Sequence, residues 1–256
     1  MAYRKGKGNQ RKWMFAWAFP PLLVALTLPE ISDCKTHPWH RLILSQHWPQ
    51  TVCLMVNETC KISPNISYWT VHGLWPKSVQ TCNSSWHFKI ENVKGILSEL
   101  EHWWPDVLHL NSTELWKHEW LKHGTCAAML ESLDTQEKYF SKALELYQKI
   151  DLNSALKKFD ILPSKYYMIE NIENALVSFY EVIPKIQCLS PTGGGSAQLL
   201  GQIEFCYTKD FQLLNCTETA PSMFVSENGR QHATYLDFSV CKRNQKIYYP
   251  PIEHQY

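Results

Sequence analysis

Leu42-Ile-Leu-Ser-Gln-His-Trp48 is a short, mainly apolar run closed by Pro49, and it predicts a strand. A second run, Tyr68-Trp-Thr-Val-His72, is bounded by Gly73 and Pro76 and predicts another. The period then changes. Lys89–Glu101 and Thr113–Ala128 carry apolar residues at helical spacing, with Ser112 or Thr113 placed to cap the second. Gln136–Ile150 is the clearest amphipathic helix: Tyr139, Phe140, Ala143, Leu144, Leu146 and Tyr147 recur near the 3.6-residue period. Ile172–Tyr180 predicts a shorter helix, and Gln202–Tyr207 and Lys246–Tyr249 predict late strands. Pro191-Thr-Gly-Gly-Gly-Ser196 has the composition of a flexible surface loop. Without a repeat or a regular strand–helix alternation, this pattern predicts one α+β domain.

Composition agrees with a folded domain. Hydrophobic residues are 45% and charged residues 19% of the 256, which excludes wholesale disorder. The N-terminus is different. Arg4, Lys5, Lys7, Arg11 and Lys12 precede an apolar stretch, Trp13–Leu28, of 16 residues that Pro20 and Pro21 interrupt. That reads as a secretory signal over residues 1–32, cleaved between Thr27 and Ser32, rather than a spanning helix of about 18 or more residues. The rival is an uncleaved signal anchor. The domain then occupies residues 33–256, with no stable membrane insertion once the signal is gone. Losing the five basic residues takes the net charge from +1 to −4, yet all 11 histidines lie in the remaining chain. At pH ~5 most ordinary histidines are charged. The domain therefore turns from mildly acidic to basic on acidification, which suits an acidic compartment and a polyanionic partner.

Nine cysteines at wide, irregular spacing resemble no zinc ribbon or finger and read as disulfides in a secreted chain. Eight paired cysteines allow 105 connectivities, so spacing alone does not choose among them. Cys34, beside the signal, is the candidate for the odd one. Five N-x-S/T sequons, at Asn57, Asn65, Asn83, Asn111 and Asn215, also point to the secretory pathway and to surface positions for those asparagines.

Two segments concentrate the chemistry. Thr70-Val-His-Gly-Leu-Trp-Pro76 holds His72 at a strand end beside Trp75. Trp116-Lys-His-Glu-Trp-Leu-Lys-His-Gly-Thr-Cys126 presents His118, Glu119, Lys122 and His123 in under two helical turns. On a regular helix Glu119 and His123 share a face, and His118 and Lys122 share the adjoining one. Trp116 and Trp120, also four apart, read as core. The spacing HExxxH is not the zinc-protease HExxH: five residues put the two histidines about 140° apart on an α-helix, so no metal is expected. Two imidazoles with a lysine and a carboxylate suit metal-free phosphodiester transesterification, one imidazole removing a proton and the other donating one.

These two segments resemble the active-site segments of the ribonuclease T2 family, acid endoribonucleases of secretory and lysosomal compartments. The resemblance extends through Leu44-Ser-Gln-His-Trp-Pro49, Trp103-Trp-Pro-Asp106, Val182–Cys188 and Gly201-Gln-Ile-Glu-Phe-Cys206, covering residues 38–251. It implies a central antiparallel sheet flanked by helices and stapled by disulfides, a monomer, no cofactor, and single-stranded RNA rather than DNA as substrate. It implies His123 as general base, His72 as general acid, Glu119 and Lys122 as transition-state stabilisers and His118 as a phosphate ligand. Trp75 matches a base-stacking residue; Gln46 and Tyr68 are groove candidates, and the other histidines, His47 among them, are taken as non-catalytic. The pairing implied is Cys53–Cys60, Cys82–Cys126, Cys188–Cys241 and Cys206–Cys216. Many family members have Asp where this chain has Lys77, which bears on base preference. The rival functions are a metal-dependent hydrolase and a non-catalytic secreted glycoprotein ligand on the same fold.

Overall fold

The computed structural model describes residues 1–2, 39–56, 62–109, 111–190, 196–216 and 238–254. The chain divides into two units, Met1–Asp33 and Cys34–Tyr256. The expected signal, Cys34, Cys60, Asn57 and most of the Pro191–Ser196 loop lie outside the described residues. No described helix is long and apolar enough to cross a membrane.

The second unit is built on a sheet whose main path runs β2 (Thr70–Pro76), β1 (Leu42–His47), β5 (Gln198–Tyr207), β4 (Lys185–Leu189), β7 (Ser239–Val240). Short strands β3 (Lys165–Tyr167), β6 (Leu213–Leu214) and β8 (Ile247–Tyr249) attach to its margins. The pairing is antiparallel except between β5 and β8, where Gln198 and Leu199 run parallel to Ile247 and Tyr248. The central path is antiparallel, as expected, and the one parallel pair lies at its margin. Leu42, Leu44, Val71, Leu74, Ile203 and Phe205 fill its buried side against α5 (Gln136–Lys149).

That helix forms where periodicity places it. Thr135 caps it by accepting from the Lys138 amide at 3.2 Å, Glu137 sits in the first turn and Lys149 in the last, each suiting the helix dipole. Tyr139 OH donates to Leu74 O at 2.8 Å and Tyr147 OH to Trp69 O at 2.7 Å, so the helix is tied to β2 and the segment leading into it.

Several boundaries differ from the pattern. Strand β2 does not stop at Gly73 but continues to Pro76, pairing with β1 from His47↔Thr70 to Leu42↔Pro76 around a bulge at Ser45/Gln46. Proline is tolerated there because β2 is an edge strand. Pro49 opens a helix, α1 (Pro49–Met55), whose first turn needs no proline N–H. The expected helix over 89–101 is a 3₁₀ stretch, Ile90–Ile96, followed by α2 (Leu97–Trp103). Two further helices, α6 (Leu152–Lys158) and α7 (Ile169–Tyr180), pack together on the far side of α5 in sequence.

The largest departure is in the expected helix over 113–128. It is α3 (Glu114–Glu119), then a π turn over Trp120–Gly124, then α4 (Thr125–Ala127). The Thr125 N–H reaches back five residues to Trp120 O. Thr113 is the N-cap residue but its side chain makes no cap bond; Ser112 Oγ instead accepts from the Glu114 amide at 3.0 Å. Trp116 and Trp120 are core residues, their indole N–H groups donating to Trp104 O (2.7 Å) and Trp86 O (2.8 Å).

Candidate active site

Strand β2 carries His72 and Trp75, and the π turn carries Lys122 and His123. Trp75 lies between the elements. His72 meets its ring edge-on, centroids 4.9 Å apart and planes at 85°. The His123 ring is 5.4 Å from it on a tilted contact. The Trp75 indole N–H donates to Glu119 Oε2 at 2.7 Å. Gly73 makes this possible: a Cβ there would stand 2.1 Å from both Glu119 Oε2 and Trp75 Nε1. Gly124 plays the same part under Trp120, whose Cε3 a Cβ would meet at 2.3 Å.

The π turn corrects the helical-wheel geometry. A turn closed over five residues returns residue i+5 toward the face of residue i. His118 and His123 are thus in electrostatic contact with each other, and His72 feels both His118 and Lys122. The 140° separation expected on a regular helix does not apply. Among the described residues, no group of three or more His, Cys, Asp or Glu side chains is arranged to hold a metal ion.

Burial dominates the electrostatics. It pushes His123 down to about 2, helped by Lys122, His118 and His72. It pushes His72 down to about 4, opposed by a hydrogen bond to Gln202 and helped by His118 and Lys122. His118 is also lowered to about 4, by burial and then Lys122. Glu119, 1% exposed, is raised to about 8 by burial, against the pull of the Trp75 N–H and Lys122. The site therefore holds neutral imidazoles and a protonated carboxyl near neutral pH.

Its supports come from both segments. Trp104 Nε1 donates to His72 O at 3.0 Å, and the Thr81 amide donates to Lys122 O at 2.8 Å. The disulfide Cys82–Cys126 joins the stretch after β2 to α4, just past the π turn, across a sequence separation of 44. Cys188–Cys241 and Cys206–Cys216 are also bridged, and Cys53 is disulfide-bonded.

A cleft of about 430 Å³ opens beside Trp75 and His123, lined also by Arg41, Lys77, Lys185 and Glu204. Two groove candidates are not in it. Gln46 is fully buried and its amide donates to Ile150 O at 2.9 Å, so it belongs to the core and not to a substrate surface. Tyr68 lines a separate cleft with Trp103 and Tyr147, and its hydroxyl donates to His102 O at 2.7 Å. Asn65, Asn83, Asn111 and Asn215 are all exposed.

Sequence reasoning passed over His47 and Gln202. His47 is 2% exposed and its ring lies 5.1 Å from that of His72. Gln202 Oε1 lies 2.6 Å from His72 Nδ1. The legible signal was a polar residue recurring in a strand otherwise built for a core: Gln198, Gln202 and Glu204 are all buried.

The model of the Ribonuclease T2 family matches residues 39–216. Ribonuclease T2 of Danio rerio is 48% identical over 227 residues, which is 87% of this chain and 93% of the relative. Ribonuclease T2 of Homo sapiens is 46% identical, over 84% of this chain and 86% of the relative. The crystal structure of human RNase T2 superposes with a TM-score of 0.69 at 45% identity, covering 83% of this chain and 99% of that one. With the paired segments, their geometry and these likenesses in agreement, the chain belongs to the ribonuclease T2 family.

Proposed function

We propose that the chain is a metal-independent acid endoribonuclease that cleaves single-stranded RNA through the substrate's own 2′-hydroxyl. The observation that carries this is the packing of two imidazoles, His72 and His123, against one indole, Trp75, with Glu119 bonded to its N–H and Lys122 acting on both rings. His123, held neutral far into acid, takes the 2′-hydroxyl proton. The freed oxygen attacks phosphorus, and the bond to the 5′-oxygen breaks. His72, protonated in acid, gives its proton to that departing oxygen. The product is a 2′,3′-cyclic phosphate, which water then opens to a 3′-phosphate. Lys122 as a cation and Glu119 as a neutral donor meet the charge building on the phosphoryl oxygens, and His118 binds the phosphate. Trp75 offers a base a ring to stack on.

The pH dependence follows. The base works above about 2 and the acid below about 4. For the free enzyme kcat/KM therefore peaks in acid and falls about tenfold per pH unit toward neutrality. The N-terminal basic–apolar segment, the disulfides and four exposed sequon asparagines support passage through the secretory pathway to a secreted or lysosomal glycoprotein, with the signal removed between residues 27 and 32.

The test is cleavage of RNA at pH ~5 with EDTA present and an all-DNA control. RNA cut to cyclic phosphate with DNA intact is the expected result. His72→Ala and His123→Ala should each lose about 10²–10⁴-fold. A loss under tenfold overturns the assignment, and no cleavage by the folded wild type moves the weight to a non-catalytic ligand.

A further inference from the structure

Gln202 and Glu204 have no part in the steps above, yet they connect to the site in one direction. His72 Nδ1 meets Gln202 Oε1 at 2.6 Å. The nitrogen end of that amide donates to Glu204 Oε1 at 3.1 Å. Glu204 Oε2 stands 3.4 Å from Lys185 Nζ. Gln202 and Glu204 are each 4% exposed. The residues form a polar seam over four neighbouring strands: His72 on β2, His47 on β1, Gln202 and Glu204 on β5, Gln187 and Lys185 on β4.

Hydrogen-bond chemistry orders the seam. A carboxylate paired with a lysine only accepts, so the Gln202 end facing Glu204 is the NH₂. The end left for His72 is the carbonyl oxygen, which also only accepts. His72 Nδ1 must then carry a hydrogen whether the ring is neutral or charged, and Nε2 is the atom that gains and loses the mobile proton. We propose that Gln202, oriented by Glu204, is a positioning residue that fixes the His72 tautomer and so presents the transferable proton on Nε2. The inference rests on reading His72 as the general acid.

The surroundings make such a partner necessary. His72 faces His47 from β1, and His118, Lys122 and His123 from the α3–π segment. Burial, His118 and Lys122 disfavour a charged ring; the hydrogen bond to Gln202 is what favours it. Without it, the acid would be protonated only at still lower pH.

The test compares wild type, Gln202→Leu, Gln202→Glu and Glu204→Gln by kcat/KM against pH and by ¹⁵N spectra of the histidine rings. In the wild type His72 should show hydrogen on Nδ1 when neutral. Gln202→Leu should move the alkaline limb down by about one pH unit, the scale of one hydrogen bond to a charged group, and lower kcat on the order of ten- to a hundredfold with KM little changed. Gln202→Glu should move that limb upward, and Glu204→Gln should give mixed His72 tautomers. A merely structural glutamine would not shift the limb in opposite directions. A limb unmoved in both Gln202 variants, or a wild-type neutral His72 without hydrogen on Nδ1, overturns the proposal; the wild-type spectrum decides even if a variant fails to fold. His72→Ala within tenfold of wild type would instead overturn the general-acid reading, leaving the spectra to judge the contact by itself.

Discussion

Glu119 offers a measurement that separates burial from charge. It is 1% exposed, bonded to the Trp75 indole N–H at 2.7 Å, and raised from 4.5 to about 8 chiefly by burial. The folded state therefore keeps its proton at pH values where the unfolded chain releases it. A raised carboxyl favours folding fully below 4.5 and loses that advantage as pH rises toward 8. Each pH unit in that window costs about 1.4 kcal/mol, so about 3 kcal/mol is lost between pH 4.5 and 7. Glu119→Gln keeps an oxygen for the Trp75 N–H and has no proton to lose. Urea unfolding of both proteins at intervals from pH 4.5 to 8 should show the glutamine variant gaining on wild type by about 3 kcal/mol at pH 7. A difference between the two that does not change with pH would refute the reasoning, because it would mean the folded carboxyl titrates where the unfolded one does.

Gly73→Ala should expel the Glu119–Trp75 hydrogen bond, since its Cβ would lie 2.1 Å from both partners; a stability loss of about 1–3 kcal/mol and a fall in RNA cleavage are expected from unfolding and activity assays. Replacing Cys82 and Cys126 together by alanine releases a loop spanning 44 residues, and calorimetry should find about 4 kcal/mol less stability on the chain-entropy estimate. Lys77 lines the cleft beside Trp75 and His123, so Lys77→Asp should change base preference; a preference unchanged from wild type across all sixteen dinucleotides would sink that idea.

Where periodicity was strong, the elements were legible. The α5 face Tyr139, Phe140, Ala143, Leu144, Leu146 and Tyr147 is wholly buried, as its spacing predicts. Both candidate active-site segments were legible by residue type, and the structure brings them to one indole. Three things escaped. Gly73 looked like a strand end, but its missing side chain serves a contact from another element, and a glycine's tertiary neighbours leave no trace in local pattern. The π turn escaped because helical spacing is read at one fixed period, whereas this segment adds a residue to one turn. Gln202 escaped because its partner, His72, is 130 positions away and meets it across β1. Gln46 shows the complementary limit: its residue type makes it a groove candidate, but its bond to Ile150 O turns it into the core.

The π turn also describes how far this site stands from another. Deleting Leu121 alone would leave His-Glu-Trp-Lys-His, with the histidines four apart on an ordinary α-helix. One codon therefore separates a helix segment patterned for transesterification from one patterned for a zinc ion. The same spacing is also reached by one substitution, Lys122→His, which would write His-Glu-Trp-Leu-His. The two routes differ in what they give up: the deletion removes one residue from the turn that the π geometry widens, whereas the substitution keeps the length and removes the lysine beside the imidazoles.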